Sequence, residues 1–573
     1  MLEKRWIVKE SGDAKTVADL AAALGIDLAL SNLLVQRGIT NFDDAKAFFR
    51  PQLSNLHDPF LMKDMDKAIE RLERAINGKE KILVYGDYDV DGTTAVALVY
   101  SFLKSQGVSV SYFIPERYLD GYGVAIRGID HAVSEGATLI IALDCGIKAV
   151  EKVAYAKSKG VDFIICDHHL PGNEIPAAVA VLDPQRSDCD YPYKDLSGCG
   201  VGYKLLQAYC QHSNISQDVL LPLLDLVAVS IASDIVPLTG ENRILAYYGL
   251  QRINTQPRKG FQAIMRRSGL HDQPIAIDDI VFRIGPRINA AGRMESGKTA
   301  VDLLTAETDK IADEVGDIIN DRNNDRKNVD RSITLEAINI IQQDPQLQAK
   351  KTTVLYNPDW HKGVVGIVAS RLVETFYRPT IVLTESNGLV TGSARSIPGF
   401  DLYQAIESCA DLLVNFGGHM YAAGLTMKLE NVEIFINRFE EMADSMLTAD
   451  MLIPQVDVDG EINFSDITPK FHRILKQFQP FGPGNMSPVF LTKRAYGNGN
   501  TRIVGTDSEH LKLELIQENA PYQPMPAIAF SQAHFFEHIQ SGKPVDVCYA
   551  VAENMYRGNI TIQLRVKDIK RNV

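Results

Sequence analysis

No two of the seven cysteines, from Cys145 to Cys548, form a CxxC pair. That excludes the common zinc-ligand spacings and a dense disulfide framework, and it points to a reducing compartment. Long hydrophobic runs are also missing. The longest apolar stretch, Val219 to Leu238, is broken by Pro222, Asp225, Ser233 and Asp234, so it reads as a core helix running into a site rather than a bilayer span. The start, MLEKRWIVKE, has no apolar h-region; no export is expected, and the cytoplasm is the expected location. Positive charge is in deficit as well. Lys+Arg number 59 against 72 Asp+Glu, a net charge of -13, which repels a polyanion at long range.

What is present is the composition of a soluble globular chain, 45% hydrophobic and 23% charged over 573 residues, long enough for about four domains. Between residues 81 and 184 short apolar runs (KILVY, VSVSYFI, TLIIAL, VDFIIC, AAVAVL) alternate with stretches of helical spacing. Strands alternating with helices imply right-handed crossovers and a parallel sheet. The predicted organisation is a lead-in over 1–50, an α/β domain over 51–310, a long exposed connecting helix over 311–348, a smaller α/β domain over 349–450, and a β-barrel of OB type over 451–573.

The acids fall at the ends of those runs. Asp87, Asp89 and Asp91 follow the first, Asp144 the third, Asp167, His168 and His169 the fourth, and Asp183 closes the fifth. The carboxyl ends of neighbouring parallel strands face one crevice, so these residues converge there. Asp234 follows another apolar run. Carboxylates crowded together repel unless a cation sits among them. Oxygen-rich ligation with imidazole and no thiolate suits Mn²⁺ or Mg²⁺, and the surplus of acids suggests two ions. A pair of such ions about 3.5–4 Å apart serves phosphoester hydrolysis.

DYDVDG, LDCG and DHH, in that order on successive strands, resemble the DHH phosphoesterase superfamily. ERYLDGYG, SGCGVGYKL, ASDIVPL, GPRINAAGR, WHKGVVGIVASR, SARSIPGFDL and FGGHMYAAGLT resemble the RecJ single-stranded-DNA-specific exonucleases. The resemblance implies a DHH domain, a DHHA1 domain with a GGH motif, and an OB-fold, together degrading single-stranded DNA 5′ to 3′ to 5′-mononucleotides in recombination and repair. It implies metal ligands at Asp89, Asp91, Asp144, His168 and Asp234, with Asp87 a less regular member, and catalytic roles for Asp144, Asp167 and His169. Arg117, Arg287, Ser393, Arg395 and His419 match positions that grip phosphates. A single-stranded-DNA-binding protein is the partner implied by family; a monomer with no membrane association is expected. FGPGNMSPVF departs from the family pattern at Met486 and Ser487.

Rival readings are a small-substrate phosphodiesterase of the same superfamily and a non-catalytic DNA-binding scaffold. Residues 292–299 also match GxxxxGK[ST], but Pro286 and two arginines precede the loop where a P-loop needs a buried strand. GCGVG at 198–202 fails the dinucleotide spacing and reads as close backbone packing. Positive charge for a DNA channel is assigned to Arg266, Arg267, Lys493, Arg494 and Arg502, with Tyr496 and Tyr556 as stacking candidates.

Overall fold

The computed structural model describes residues 3–518, 520–556 and 559–572. The chain divides into two compact units, Leu53–Leu452 and a second formed by Met1–Gln52 with Ile453–Val573.

The first unit opens with a five-stranded sheet of β1 (Lys81–Gly86), β2 (Val110–Phe113), β3 (Ala137–Leu143), β4 (Asp162–Cys166) and β5 (Ala180–Leu182), in the order β2-β1-β3-β4-β5. Every pairing is parallel. Side chains alternate along a strand, so both faces of the sheet are covered. Ile82, Val84, Leu139 and Ile141 enter one core, whereas Leu83, Tyr85, Ile140 and Ala142 enter another on the opposite face. That two-sided burial explains why these strands read as unbroken apolar runs. Helix α1 (Val90–Ser105) follows β1, and α2 (Gly198–His212) and α3 (Leu224–Ser233) pack on the larger core. The order of strands reverses between β1 and β3, where a parallel sheet leaves a crevice at its carboxyl edge.

Helix α4 (Gly285–Met294) is preceded by a π-helical turn, Ile280–Ile284. It absorbs Gly292 and Arg293, so the GxxxxGKT stretch begins inside a helix and provides no phosphate loop. Helix α5 (Asp309–Gln343) is 35 residues long, about 50 Å at 1.5 Å per residue. It leads to a mixed sheet of β6 (Thr353–Tyr356), β7 (Thr380–Ser386), β8 (Leu389–Arg395), β9 (Leu413–His419) and β10 (Ala422–Met427), ordered β9-β10-β8-β7-β6. Helix α6 (Val365–Phe376) crosses between the parallel pair β6 and β7.

In the second unit, β11 (Phe490–Gly497), β12 (His510–Gln517), β13 (Ala520–Ala529), β14 (Val545–Tyr556) and β15 (Asn559–Arg571) close into a barrel in the order β11-β14-β15-β13-β12, with β12 pairing back to β11. The N-terminal segment is part of this unit. Its strand Arg5–Val8 pairs with Gln455–Val458, and Leu30, Leu33 and Leu34 share a core with Phe464, Phe471 and Phe478. No single helix among the described residues is long and apolar enough to cross a membrane.

Candidate metal centre and phosphate-binding site

Asp89 caps α1, its side chain accepting from Gly92 N at 3.0 Å. The turn is so tight that a Cβ on Gly92 would lie 2.4 Å from the Asp87 carbonyl oxygen, so only glycine fits there. Asp91, in the first turn of α1, is buried; it accepts from Gly198 N at 2.7 Å, Cys199 N at 2.8 Å and Ser230 Oγ at 2.7 Å. The N-terminus of α2 therefore clamps this carboxylate, as its exposed amides favour an anion. Gly198 also touches Asp144, on which its Cβ would fall at 2.6 Å. Close packing, not nucleotide binding, accounts for the glycines at 198–202.

His168 Nε2 lies 3.1 Å from Asp144 Oδ1, 3.5 Å from Asp234 Oδ2 and 3.7 Å from Asp91 Oδ2. It makes no hydrogen bond of proper geometry. Asp144 sits at φ 58° and Ile235, the neighbour of Asp234, at φ 61°. Non-glycine residues, and β-branched ones above all, rarely adopt that region, and such strain gathers at functional sites.

His169 is set apart from this group by Asp167. Its Nδ1 is 2.8 Å from Asp167 Oδ1, while Asp167 also accepts from the backbone N–H groups of Ile147 and His168. Burial works against a charged imidazole, but the Asp167 hydrogen bond and charge outweigh it and raise His169 to about 9. Asp167 is lowered: burial alone would raise it, and its bond to His169 prevails. The other ring nitrogen of His169 is 3.0 Å from the hydroxyl of Tyr122. Tyr122 belongs to the ERYLDGYG motif but carried no assignment from sequence, since nothing in its spacing shows which strand end it will face.

Burial first, and then the neighbouring carboxylates, push Asp87, Asp91, Asp144 and Asp234 above the ordinary carboxylate range. Asp183 is raised to about 7, by burial and then by Asp167. Asp87 is fully buried with no hydrogen bond to either oxygen. Unsatisfied carboxylates, an orphaned imidazole nitrogen and an O/N donor set fit hard divalent cations such as Mn²⁺ or Mg²⁺. Among the described residues two groups have ligand atoms close enough to share an ion: Asp91, His168 and Asp234, and Asp144, His168 and His169.

A cluster of arginines adjoins the acids. Arg117 stacks over Tyr88, its Cζ 4.2 Å from the ring centroid. Ser393 and Arg395, on β8, press against the first turn of α6: a Cβ on Gly366 would lie 3.2 Å from Ser393 Oγ and 3.1 Å from Arg395 Nη2. His419, at the end of β9, is lowered by burial and then by the charges of His169, Lys148 and His168. Arg287 lies on α4 with its Nη1 on Arg283 O at 2.7 Å. Arg293, from the same helix, is the cation that sequence missed. Burial, and then Arg117, Arg326 and Arg395, push it down to about 10, with Asp89 acting in the opposite sense.

The positive charge assigned from sequence to Arg266, Arg267, Lys493 and Arg494 is already neutralised, and that expectation is corrected. They pair with Asp313, Asp313 and Asp317, Glu461 and Glu518 respectively. The acids sit one helix or strand away, where no sequence spacing reveals them. The hydroxyl of Tyr496 donates to Glu518 at 2.7 Å, while the Tyr556 side chain lies outside the described residues.

The chain matches three family models: the DHH family, N-terminal domain, over residues 81–231; the DHHA1 domain over 349–445; and the RecJ OB domain over 458–568. It is 35% identical to the single-stranded-DNA-specific exonuclease RecJ of Bacillus subtilis, covering 98% of this chain and 70% of that one. Identity to RecJ of Escherichia coli is 32%, over 99% of both chains. The crystal structure of RecJ in complex with Mn²⁺ from Thermus thermophilus superposes with a TM-score of 0.85 at 27% identity, over 99% of this chain and 80% of that one. With its strand-end acids gathered at the switch point of the sheet and all three domains matched, this chain belongs to the RecJ family of single-stranded-DNA-specific exonucleases.

Proposed function

We propose that this protein is a metal-dependent exonuclease that degrades single-stranded DNA from the 5′ end, releasing 5′-mononucleotides in recombination and repair. The observation that carries this reading is His168 Nε2, held within 3.7 Å of three carboxylates from three separate segments without a hydrogen bond of its own. Asp89, Asp91, Asp144, His168 and Asp234 would hold two Mn²⁺ or Mg²⁺ ions, with Asp87 behind them. When bound, such ions supply a water of lowered pKa and counter-charge for a phosphoryl oxygen.

The protein's own groups complete the site. Asp167 orients His169 and keeps it an imidazolium at neutral pH, suited to donate to a phosphate oxygen. Asp167 thus acts through His169 as a positioning residue. Arg117, Arg287, Ser393, Arg395 and His419 hold the DNA backbone, the guanidinium groups by forked hydrogen bonds. A single-stranded-DNA-binding protein as partner, a monomeric state and a cytoplasmic location complete the proposal on family grounds.

Digestion of a long strand labelled at its 5′ or its 3′ end, with Mn²⁺, Mg²⁺ or EDTA, tests the proposal beside a duplex and a dinucleotide. Immediate metal-dependent release of a 5′-labelled mononucleotide from the single strand is expected. Preference for the dinucleotide would assign the protein to small substrates, and no turnover with either metal would favour a scaffold.

A further inference from the structure

Helix α5, which sequence reads as an exposed connector, is buried along one stripe whose chemistry changes along its length. Near its N-terminal end Ala312 and Ile319 join the large core of the parallel-sheet domain. Near its C-terminal end Ile333, Ala337 and Ile341 pack with Trp360 and Val365 of the DHHA1 domain. Between these apolar ends, at the same helical spacing, come Asn323, Arg326 and Asp330.

Asp330 is fully buried and accepts from Arg371 Nη2 at 2.7 Å. The other two are not accounted for. Asn323 is 0% exposed, and neither its amide nitrogen nor its oxygen has a hydrogen-bond partner. Arg326 Nε is buried without an acceptor. Buried amides are nearly always paired, so an orphan of this kind calls for a partner from outside the helix.

The surroundings say what that is. Burial first, and then Arg283 and Arg326, lower Arg287, while burial and then Arg117, Arg326 and Arg395 lower Arg293, so Arg326 stands beside both. None of these five guanidinium groups forms an ion pair among the described residues. All five are only partly buried, and a cluster of like charges with no ion pair favours a bound anion. Five of them exceed what a single phosphodiester, with its one charge, can neutralise, whereas a strand with successive phosphates matches them.

We propose that the polar middle of the connecting helix is a phosphate-binding subsite, in which Arg326 and the Asn323 amide donate to the oxygens of a DNA phosphate beside Arg287 and Arg293. The inference rests on the reading of the protein as a single-stranded-DNA exonuclease and adds to it a role for the helix. Because the two ends of α5 are built into the two domains, a phosphate gripped at its middle is held at a fixed place between them.

The test is equilibrium binding of 3′-fluorescein-labelled oligothymidylate to the full-length protein in EDTA, across a range of salt, with either a 5′-phosphate or a 5′-hydroxyl. Arg326→Gln is expected to weaken binding at least tenfold and to make the slope of log K against log salt shallower by about 0.7, the value for one phosphate contact on a single strand. Arg326→Lys should keep the slope. Asn323→Leu removes a buried, unpartnered amide and should raise the Tm while weakening binding, a combination that a purely structural asparagine does not produce. Loss confined to the 5′-phosphorylated strand would assign the subsite a terminal phosphate, and equal loss on both strands an internal one; either supports the proposal. An unchanged salt slope in Arg326→Gln, or a lowered Tm with unchanged affinity in Asn323→Leu, would overturn it. Wild-type protein that neither binds nor degrades single-stranded DNA would instead overturn the functional reading beneath it.

Discussion

Asp167 and His169 are two residues apart on the β4 end and form one unit: His169 Nδ1 lies 2.8 Å from an Asp167 oxygen that is itself buried. The closest charge partner of Asp167 is thus the His169 imidazole. Asp167→Asn keeps the shape and removes that charge. His169 should then titrate well below about 9, and kcat should fall about 10²–10³-fold, the scale of a lost proton-transfer or imidazolium contribution. NMR titration of the His169 ring and steady-state kinetics check both, and a drop in kcat with His169 unmoved would count against the pairing.

Asp144 stands at the centre of the charge repulsion, with Asp91, Asp89 and Asp234 as its leading neighbours. Asp144→Asn should abolish turnover and Mn²⁺ binding while raising the Tm of the EDTA-treated protein, because one buried like charge has gone. Calorimetric titration with Mn²⁺ and a thermal melt in EDTA separate the two effects. Retained activity would remove Asp144 from the mechanism.

The stability of the ion-free protein should depend on pH with a definite sign. Asp87, Asp91, Asp144 and Asp234 are raised above 3.8 in the folded state, and Asp183 is raised to about 7. The native state then binds more protons than the unfolded chain above pH 3.8, so stability falls as pH rises through that window. His169 acts in the same direction at higher pH: its contribution is full below 6.5 and lost as pH passes about 9. Asp167 has the opposite sign, losing its contribution only on acidification below 3.8. Thermal melts from pH 5 to 8.5 should show a Tm that declines in EDTA and is higher and flatter with saturating Mn²⁺. Parallel curves would argue against a cation resolving the carboxylate repulsion.

Gly198→Ala would drive a Cβ to within 2.6 Å of Asp144 Cβ and 2.8 Å of its Cα. Backbone must shift to admit it, at about 1–3 kcal/mol, and the shift displaces both Asp144 and the α2 amides that hold Asp91. Activity should fall more steeply than stability, as urea melts and Mn²⁺ affinity measured on the same preparation would show. An alanine variant with normal Mn²⁺ affinity would show that the close approach is not required.

Residues whose chemistry is tied to the period of a strand were legible in advance. Asp89, Asp91, Asp144 and His168 lie just beyond apolar runs, and in a parallel sheet that position alone brings them to one edge, because all strands end on the same side. The parallel sheet, a long helix between the domains and the barrel follow from periodicity as well, but the helix reads as exposed where the fold buries one stripe of it. Tertiary structure decided what depends on contacts between distant segments. It paired Arg266, Arg267, Lys493 and Arg494 with acids that sequence spacing does not reveal, and among the described residues it left Arg117, Arg287, Arg293, Arg326 and Arg395 without an ion pair. It joined residues 1–52 to the C-terminal barrel through Arg5–Val8 and the Leu30–Leu34 turn of helix. It also turned the middle of α5 inward. The sequence reads the whole charged helix as exposed, whereas the packing of its two ends into separate domains buries Asn323 and Asp330 and half-buries Arg326 between them. Strand ends are set by local pattern and one rule of chain direction, whereas the pairing of a charge is set by whichever group the fold brings within a few ångströms of it.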